Sequence, residues 1–259
     1  MFRWDLVWHF LFQDPNFYFL RAAWLTLWIS VVAQAAGVIL GLFIALMRMS
    51  RFRFLSLPAG AYIWFFRGSP LLVQVLLLWD GLPRLINDPR YLLPNYACVL
   101  VAFSLNEGAY MAEIIRAGIT SVDPGQMEAA KSLGMRYPLA MRRIILPQAA
   151  RVIIPPLGNE FNNMLKTTSI ASVIGLLELT GSAQVYGSQD FIIFELLIVA
   201  TFYYLFLTTL WGYFQSWIEN RLNPDRAMKT ELVEKKGWAE RTFGLGSSGR
   251  AGGTLASGR

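Results

Sequence analysis

From Ala22 to Met47 the chain carries not one charged side chain. A run of that length crosses the roughly 30 Å hydrocarbon core of a bilayer as a helix, and in lipid a helix satisfies its own backbone amides without help from water. That stretch constrains the rest of the chain: loops lie outside the lipid, and charges within other spans face protein or water. Residues 191–217, with Glu195 as their only charge, repeat the pattern. Three further segments, near 57–80, 94–115 and 140–164, pass the same length test, so about five transmembrane helices are expected. The fourth is the most interrupted, with Arg142, Arg143 and Arg151 at its start and Pro155-Pro156 inside it. Proline kinks are tolerated in a membrane where neighbours satisfy the freed carbonyls. With 55% hydrophobic and 15% charged residues, the composition points to an all-α integral membrane protein in contact with lipid over much of its surface.

The basic residues orient these spans. Arg48, Arg51 and Arg53 follow the first; Arg116, Lys131, Arg136, Arg142 and Arg143 surround a polar segment near 118–147; Arg221, Arg226, Lys229, Lys235 and Lys236 follow the last. The positive-inside rule makes these three regions cytoplasmic. In the opposite connections, near 81–93 and 165–190, Asp88, Glu178 and Asp190 offset Arg84, Arg90 and Lys166. An odd number of spans then leaves the N-terminus outside and the C-terminus in the cytoplasm. The net charge of +6 is explained by this orientation, and no nucleic-acid partner is expected.

Residues 1–20 mix Trp4, Trp8, Phe10, Phe12, Phe17, Tyr18 and Phe19 with Arg3, Asp5 and Asp14, the pattern of an interfacial helix. With no basic leader before an apolar core, a cleaved signal peptide is not expected. The organisation read from the sequence is an interfacial segment over 1–20, a transmembrane domain over 21–220 and a cytoplasmic tail over 221–259. The Gly/Ser-rich end of that tail predicts disorder.

Other chemistry is excluded by what is missing. His9 is the sole histidine and Cys98 the sole cysteine, so His-pair metal sites, Ser-His-Asp triads and an intramolecular disulfide are all ruled out. No Gly-x-x-x-x-Gly-Lys-Ser/Thr stretch exists to cradle a nucleotide phosphate. The chain is therefore not expected to be an enzyme or to hold a cofactor.

The polar segment between the third and fourth spans carries helix signals of its own. Asp123 suits an N-cap, Pro124 the first helical position, Gln126 the capping-box position, and Gly134 the helix end. The order Glu128-Ala129-Ala130, three residues, Gly134, nine residues, Ile144, one residue, Leu146-Pro147 resembles the EAA loop of ABC importer permeases, which seats in a groove of the ATPase subunit. Gln126, Glu128, Ala129, Ala130 and Gly134 are the coupling residues this resemblance implies. In physical terms Glu128 offers a charge-assisted contact, Ala129 and Ala130 permit close approach, and Gly134 lets the chain turn.

Further stretches are similar to the polar amino-acid permeases of the histidine/glutamine type: Phe66-Arg67-Gly68-Ser69-Pro70-Leu71-Leu72-Val73-Gln74, Gly108 through Arg116, Leu146-Pro147-Gln148-Ala149, Pro155 through Asn159, Leu165 through Ser169, Ser172 through Gly175, and Glu178-Leu179-Thr180. They run from about Tyr62 to Thr180. Two departures bear on substrate preference. Thr167 stands where the family usually has an acidic residue, and Glu107 lies where it usually has small neutral ones. The resemblance implies a type I ABC importer permease (MetI-like) fold in the bacterial cytoplasmic (inner) membrane, moving polar amino acids by alternating access. It also implies an ABC ATPase subunit, a second permease copy or homologue, and an extracytoplasmic solute-binding protein as partners.

Polar residues inside the spans are the candidates for the path. Arg67, near the middle of the expected second span, serves either as a structural anchor beside Gly68 and Pro70 or in translocation. Gln74 lies seven residues on and would extend the same helical face. Glu107, beside Asn106, meets a substrate cation or pairs with Arg67. Asn159, Glu160, Asn162 and Asn163 line the path or join helices. Two readings from other classes remain at this level: a self-contained secondary transporter or channel for small polar solutes, and a non-transporting scaffold.

Overall fold

The computed structural model describes residues 3–13, 18–86 and 93–222, and the regular elements among them are all helical. Phe17, Asp14, Asp88, Arg90 and the tail from residue 223 lie outside the described residues. The chain divides into two compact units, Met1–Gln215 and Ser216–Arg259. The second is described only as the last turns of a helix, where Arg221 stacks 4.5 Å over the Trp217 ring.

Helix α1 (Trp4–Phe12) turns Val7 into a cluster with Phe19, Leu179 and Leu196, and leaves Trp4, Trp8 and Phe12 exposed at four-residue spacing. Next comes α2 (Tyr18–Arg48), a helix that presents two different faces. Trp24, Ile39 and Phe43 are exposed, while Ala33, Gly37, Gly41 and Ala45 form a buried stripe with a residue every four. That stripe lies against α6 (Asn95–Thr120), the most extensive helix pairing among the described residues. A Cβ on Gly37 would stand 2.7 Å from Glu107 Cβ, and one on Gly41 would strike Met111 and the backbone of Ala112. Small residues thus let two backbones approach closely where lipid supplies no hydrophobic driving force between helices.

The segment expected as one crossing near 57–80 is broken instead. Helix α3 (Arg53–Gly68) and the run from α4 (Leu71–Leu76) through a π-helical turn at Leu77–Gly81 to α5 (Leu82–Ile86) meet at 104°. The cause is local. Pro70 lacks an N–H and biases the preceding residue to extended backbone, and Ser69 adopts it (φ −110, ψ 144). The carbonyls freed at the break are collected by amide side chains: Gln74 Nε2 donates to Phe66 O (3.0 Å) and Ser69 O (3.1 Å), and Asn106 Nδ2 donates to Phe66 O (2.8 Å).

After α6 come α7 (Pro124–Ser132), α8 (Tyr137–Ala140), a π-helical turn at Met141–Ile145 and α9 (Leu146–Thr167). A 3₁₀ turn at Thr168–Ile174 leads to α10 (Leu179–Gln189) and α11 (Ile193–Leu222). Among the described residues α2, α6 and α11 are long and apolar enough to span a membrane, and the bent pair makes a fourth crossing if counted as one. The helix expected as the span near 140–164 begins later, at Leu146. It is long enough, but Arg151, Glu160, Lys166 and its asparagines leave it too polar to pass on composition. Side chains of α11 bond to its backbone beside the two internal prolines: Gln215 Nε2 donates to Pro155 O at 3.3 Å and Trp211 Nε1 to Gly158 O at 2.8 Å. Glu178 caps α10 through bonds from Thr180 N and Gly181 N and accepts from Tyr204 Oη at 2.6 Å. Burial pushes the Glu178 carboxyl above its ordinary range, and these three bonds oppose that shift.

Candidate functional site

Two groups of polar residues stand out, one exposed and one buried. The exposed group is α7. Asp123 Oδ1 accepts from Gly125 N at 2.7 Å, with Pro124 opening the helix. At the other end Gly134 takes φ +77, its N–H reaches Lys131 O at 2.9 Å, and Met135 N reaches Ala130 O at 3.0 Å. That pair of bonds is a Schellman close, and the left-handed conformation is the reason a glycine stands there. Gln126 departs from its expected capping-box role, because its Oε1 accepts from Gln148 Nε2 at 3.2 Å and so ties α7 to the start of α9. Ala130 also departs from expectation. It is 1% exposed and packs inward, so it seats the helix. Glu128 and Ala129 are exposed, and beside them Leu133 (82% exposed) and Tyr137 leave apolar surface uncovered. The sequence reading missed Leu133 and Tyr137. Their signal is two bulky apolar residues beside the glycine that ends a polar helix.

The buried group lies where α2, α6 and α9 meet. Glu107 is 4% exposed, and its Oε1 has no hydrogen-bond partner. The Gln34 amide adjoins it, and the Glu160 carboxylate is near enough to act on it electrostatically. Gln34 Oε1 is likewise unpartnered, with Nε2 facing Met111 Sδ at 3.6 Å, and Asn162 Oδ1 on α9 is a third buried oxygen without a donor. Each such orphan costs about 1–3 kcal/mol, more for a charged group. The open oxygens of Glu107 and Gln34, side by side, make this meeting of helices a candidate site for a polar ligand or water. Gln34 was absent from the sequence-based candidates, although it is the one amide in the uncharged run from Ala22 to Met47.

The remaining candidates are distributed differently from the sequence expectation. Gln74 does not continue the Arg67 face, because the helix breaks between them; together with Asn106 (Nδ2 to Gln74 Oε1, 3.2 Å) it stitches that break. Asn159 accepts from Gln215 Nε2 at 3.0 Å and joins α9 to α11. Asn163 is exposed, and Thr167 Oγ1 bonds to its carbonyl. Arg67 does not pair with Glu107. Its guanidinium lies 5.2 Å over the Tyr110 ring, at the edge of a separate cavity with Arg48, Glu113 and Arg116. Among the described residues no His/Cys/Asp/Glu cluster is arranged to hold a metal ion.

Known proteins share this arrangement of helices. The family model described as "Binding-protein-dependent transport system inner membrane component" matches residues 37–224. A probable amino-acid ABC transporter permease protein of Bacillus subtilis is 37% identical over 85% of this chain and 96% of its own length. An octopine transport system permease of Rhizobium radiobacter is 40% identical over 82% of this chain and 90% of its own. An arginine transport system permease of Corynebacterium glutamicum is 42% identical over 80% of this chain and 68% of its own. Among solved structures, one titled as an amino acid ABC transporter with histidines superposes with a TM-score of 0.74 at 43% identity, covering 79% of this chain and 94% of that one. An inward-facing methionine ABC transporter shares the fold, with a TM-score of 0.66 at 15% identity over 81% of this chain and 99% of that one.

Proposed function

The chain belongs to the inner-membrane components of binding-protein-dependent transport systems, and from that premise we propose that it is the permease subunit of an importer for polar amino acids with a cationic side chain. The observation that carries the substrate class is the Glu107 carboxylate, buried with an orphaned oxygen beside Gln34 and within reach of Glu160. Two carboxylates in a low-dielectric bundle, with no cation shown for Glu107, favour a ligand that brings positive charge. The relatives named for arginine and octopine transport agree with this reading.

Transport then proceeds by alternating access in a pair of permease copies or homologues, each contributing one such pocket. A solute-binding protein presents the amino acid on the outer face, where the N-terminus also lies. In the cytoplasm an ABC ATPase, holding the ATP and Mg, seats against Glu128, Ala129 and the exposed Leu133 and Tyr137. Closure of the ATPase pair pushes α7, and the Gln126–Gln148 bond passes that push to the start of α9, the helix that carries Glu160 and Asn162. The path residues are Glu107, Glu160, Gln34 and Asn162, with Gln74, Asn106 and Asn159 shaping the walls around them.

The test is purification from membranes in mild detergent with identification of co-purifying proteins, followed by uptake of labelled arginine, glutamine and glutamate in proteoliposomes. A Walker-motif ATPase that co-purifies, and ATP-dependent uptake with arginine preferred, is the expected result. Arginine uptake by the permease alone, without nucleotide, would overturn the coupled reading; ATP-driven uptake that favours glutamate would overturn the cationic one.

A further inference from the structure

Between the C-terminal ends of α2, α3 and α6 lies a cavity of about 700 Å³ lined by Arg48, Arg67, Arg116 and Glu113 among its residues. Three guanidiniums against one carboxylate leave its wall at +2. The Arg116 fork already holds Glu113 through two bonds, of 3.2 and 2.8 Å. Arg48 spends one bond on Ser56 O at 3.2 Å, and Arg67 rests on the face of Tyr110 without an ion pair. The charges of Arg48 and Arg67 both reach Glu113, so the three arginines act on one volume. Two guanidinium forks therefore remain with donors directed at no protein acceptor, the geometry that suits a phosphate oxygen pair.

The surroundings distinguish a lipid from a soluble anion. The helices that carry Arg48 and Arg67 also bear exposed apolar side chains, Phe43 and Leu46 on α2 and Leu57 and Trp64 (77% exposed) on α3. Arg48 closes the uncharged run of α2, at the end where basic residues gather, which is the leaflet rich in anionic lipid. We propose that this cavity binds the phosphodiester headgroup of an anionic phospholipid, with the acyl chains lying along the exposed faces of α2 and α3. The inference depends only on membrane insertion and stands whichever solute is carried.

The experiment is native mass spectrometry of the detergent-purified protein, with its co-purifying partners, after incubation with mixed micelles of phosphatidylglycerol and phosphatidylcholine. The expected result is preferential retention of phosphatidylglycerol, reduced about fivefold in Arg67→Gln, kept in Arg67→Lys and increased in Glu113→Gln. Arg67 is exposed, so the substitution is not expected to prevent folding, and the wild-type lipid preference is informative on its own. Equal retention of the two lipids, or phosphatidylglycerol retention indifferent to Arg67→Gln, would overturn the site. Displacement of phosphatidylglycerol by millimolar inorganic phosphate would show a soluble-anion site and overturn the lipid assignment.

Discussion

At the end of α7 the backbone closes on itself: Gly134 and Met135 return their N–H groups to Lys131 and Ala130, and Asp123 caps the other end. Around Glu107, groups far apart in sequence, Gln34 on α2, Glu107 on α6 and Glu160 on α9, come together in space, and an oxygen of Gln34 and one of Glu107 remain without donors. The first region is a finished surface, satisfied internally and with its apolar contacts turned outward. The second is an unfinished interior. The difference fits the roles proposed for them: a rigid, self-contained helix suits transmission of force to another protein, and buried polar groups left open suit a ligand that comes and goes.

The comparison is broken most severely at Gly134. Its φ of +77 costs an L-residue about 1–2 kcal/mol, and nothing stands within 4 Å of a Cβ there. Gly134→Asp is therefore expected to insert and fold normally, yet to lose ATPase co-purification and nucleotide-driven uptake altogether. Retained uptake in a correctly inserted variant would remove α7 from the coupling role. Glu107→Gln is the matching change in the buried region. Loss of a charged contact of about 1.5–3 kcal/mol should weaken arginine uptake roughly ten- to hundredfold while glutamine uptake and ATPase co-purification are kept. Equal losses for both substrates would make Glu107 a structural carboxylate.

Smaller effects sharpen the boundary between the two regions. Gln126→Ala removes the bond to Gln148, worth about 0.5–1.5 kcal/mol, and should lower the number of amino acids moved per ATP without changing arginine affinity. A changed affinity in binding assays would mean that the two regions are not separable. Asp123→Ala should cost about 1 kcal/mol of local helix stability and be visible as faster amide exchange over 124–132. Unaltered exchange there would show that packing by Ala130, not the cap, holds the helix.

These two regions also differ in how far the residues alone announced them. Local signals are enough for α7, since a cap, a proline and a left-handed glycine act within a few residues of each other. The uncharged run of α2 likewise declares itself through length and charge. The break at Ser69-Pro70 was written in a dipeptide, but which side chains would repair it was not, because Gln74 and Asn106 meet only once α4 and α6 are packed. Gln34 was overlooked for the same reason: a lone amide in an apolar run gains meaning only when Gly37, one turn on, brings α6 close enough to set Glu107 beside it. Gln126 and Ala130 were assigned coupling roles by spacing; tertiary contact ties the exposed Gln126 to Gln148 and buries Ala130. Polar asparagines on α9 gave a cluster without ranking its members, and packing separates Asn159, held by Gln215, from Asn162, held by nothing.

The most direct measurement of the central claim is labelled arginine uptake into proteoliposomes containing the permease with its co-purifying ATPase and binding protein, with and without ATP, in wild type, Gly134→Asp and Glu107→Gln. The account predicts ATP-dependent uptake in wild type, none in Gly134→Asp, and a loss in Glu107→Gln that is confined to the cationic substrate. Uptake that proceeds without ATP, or that Gly134→Asp leaves intact, would contradict it.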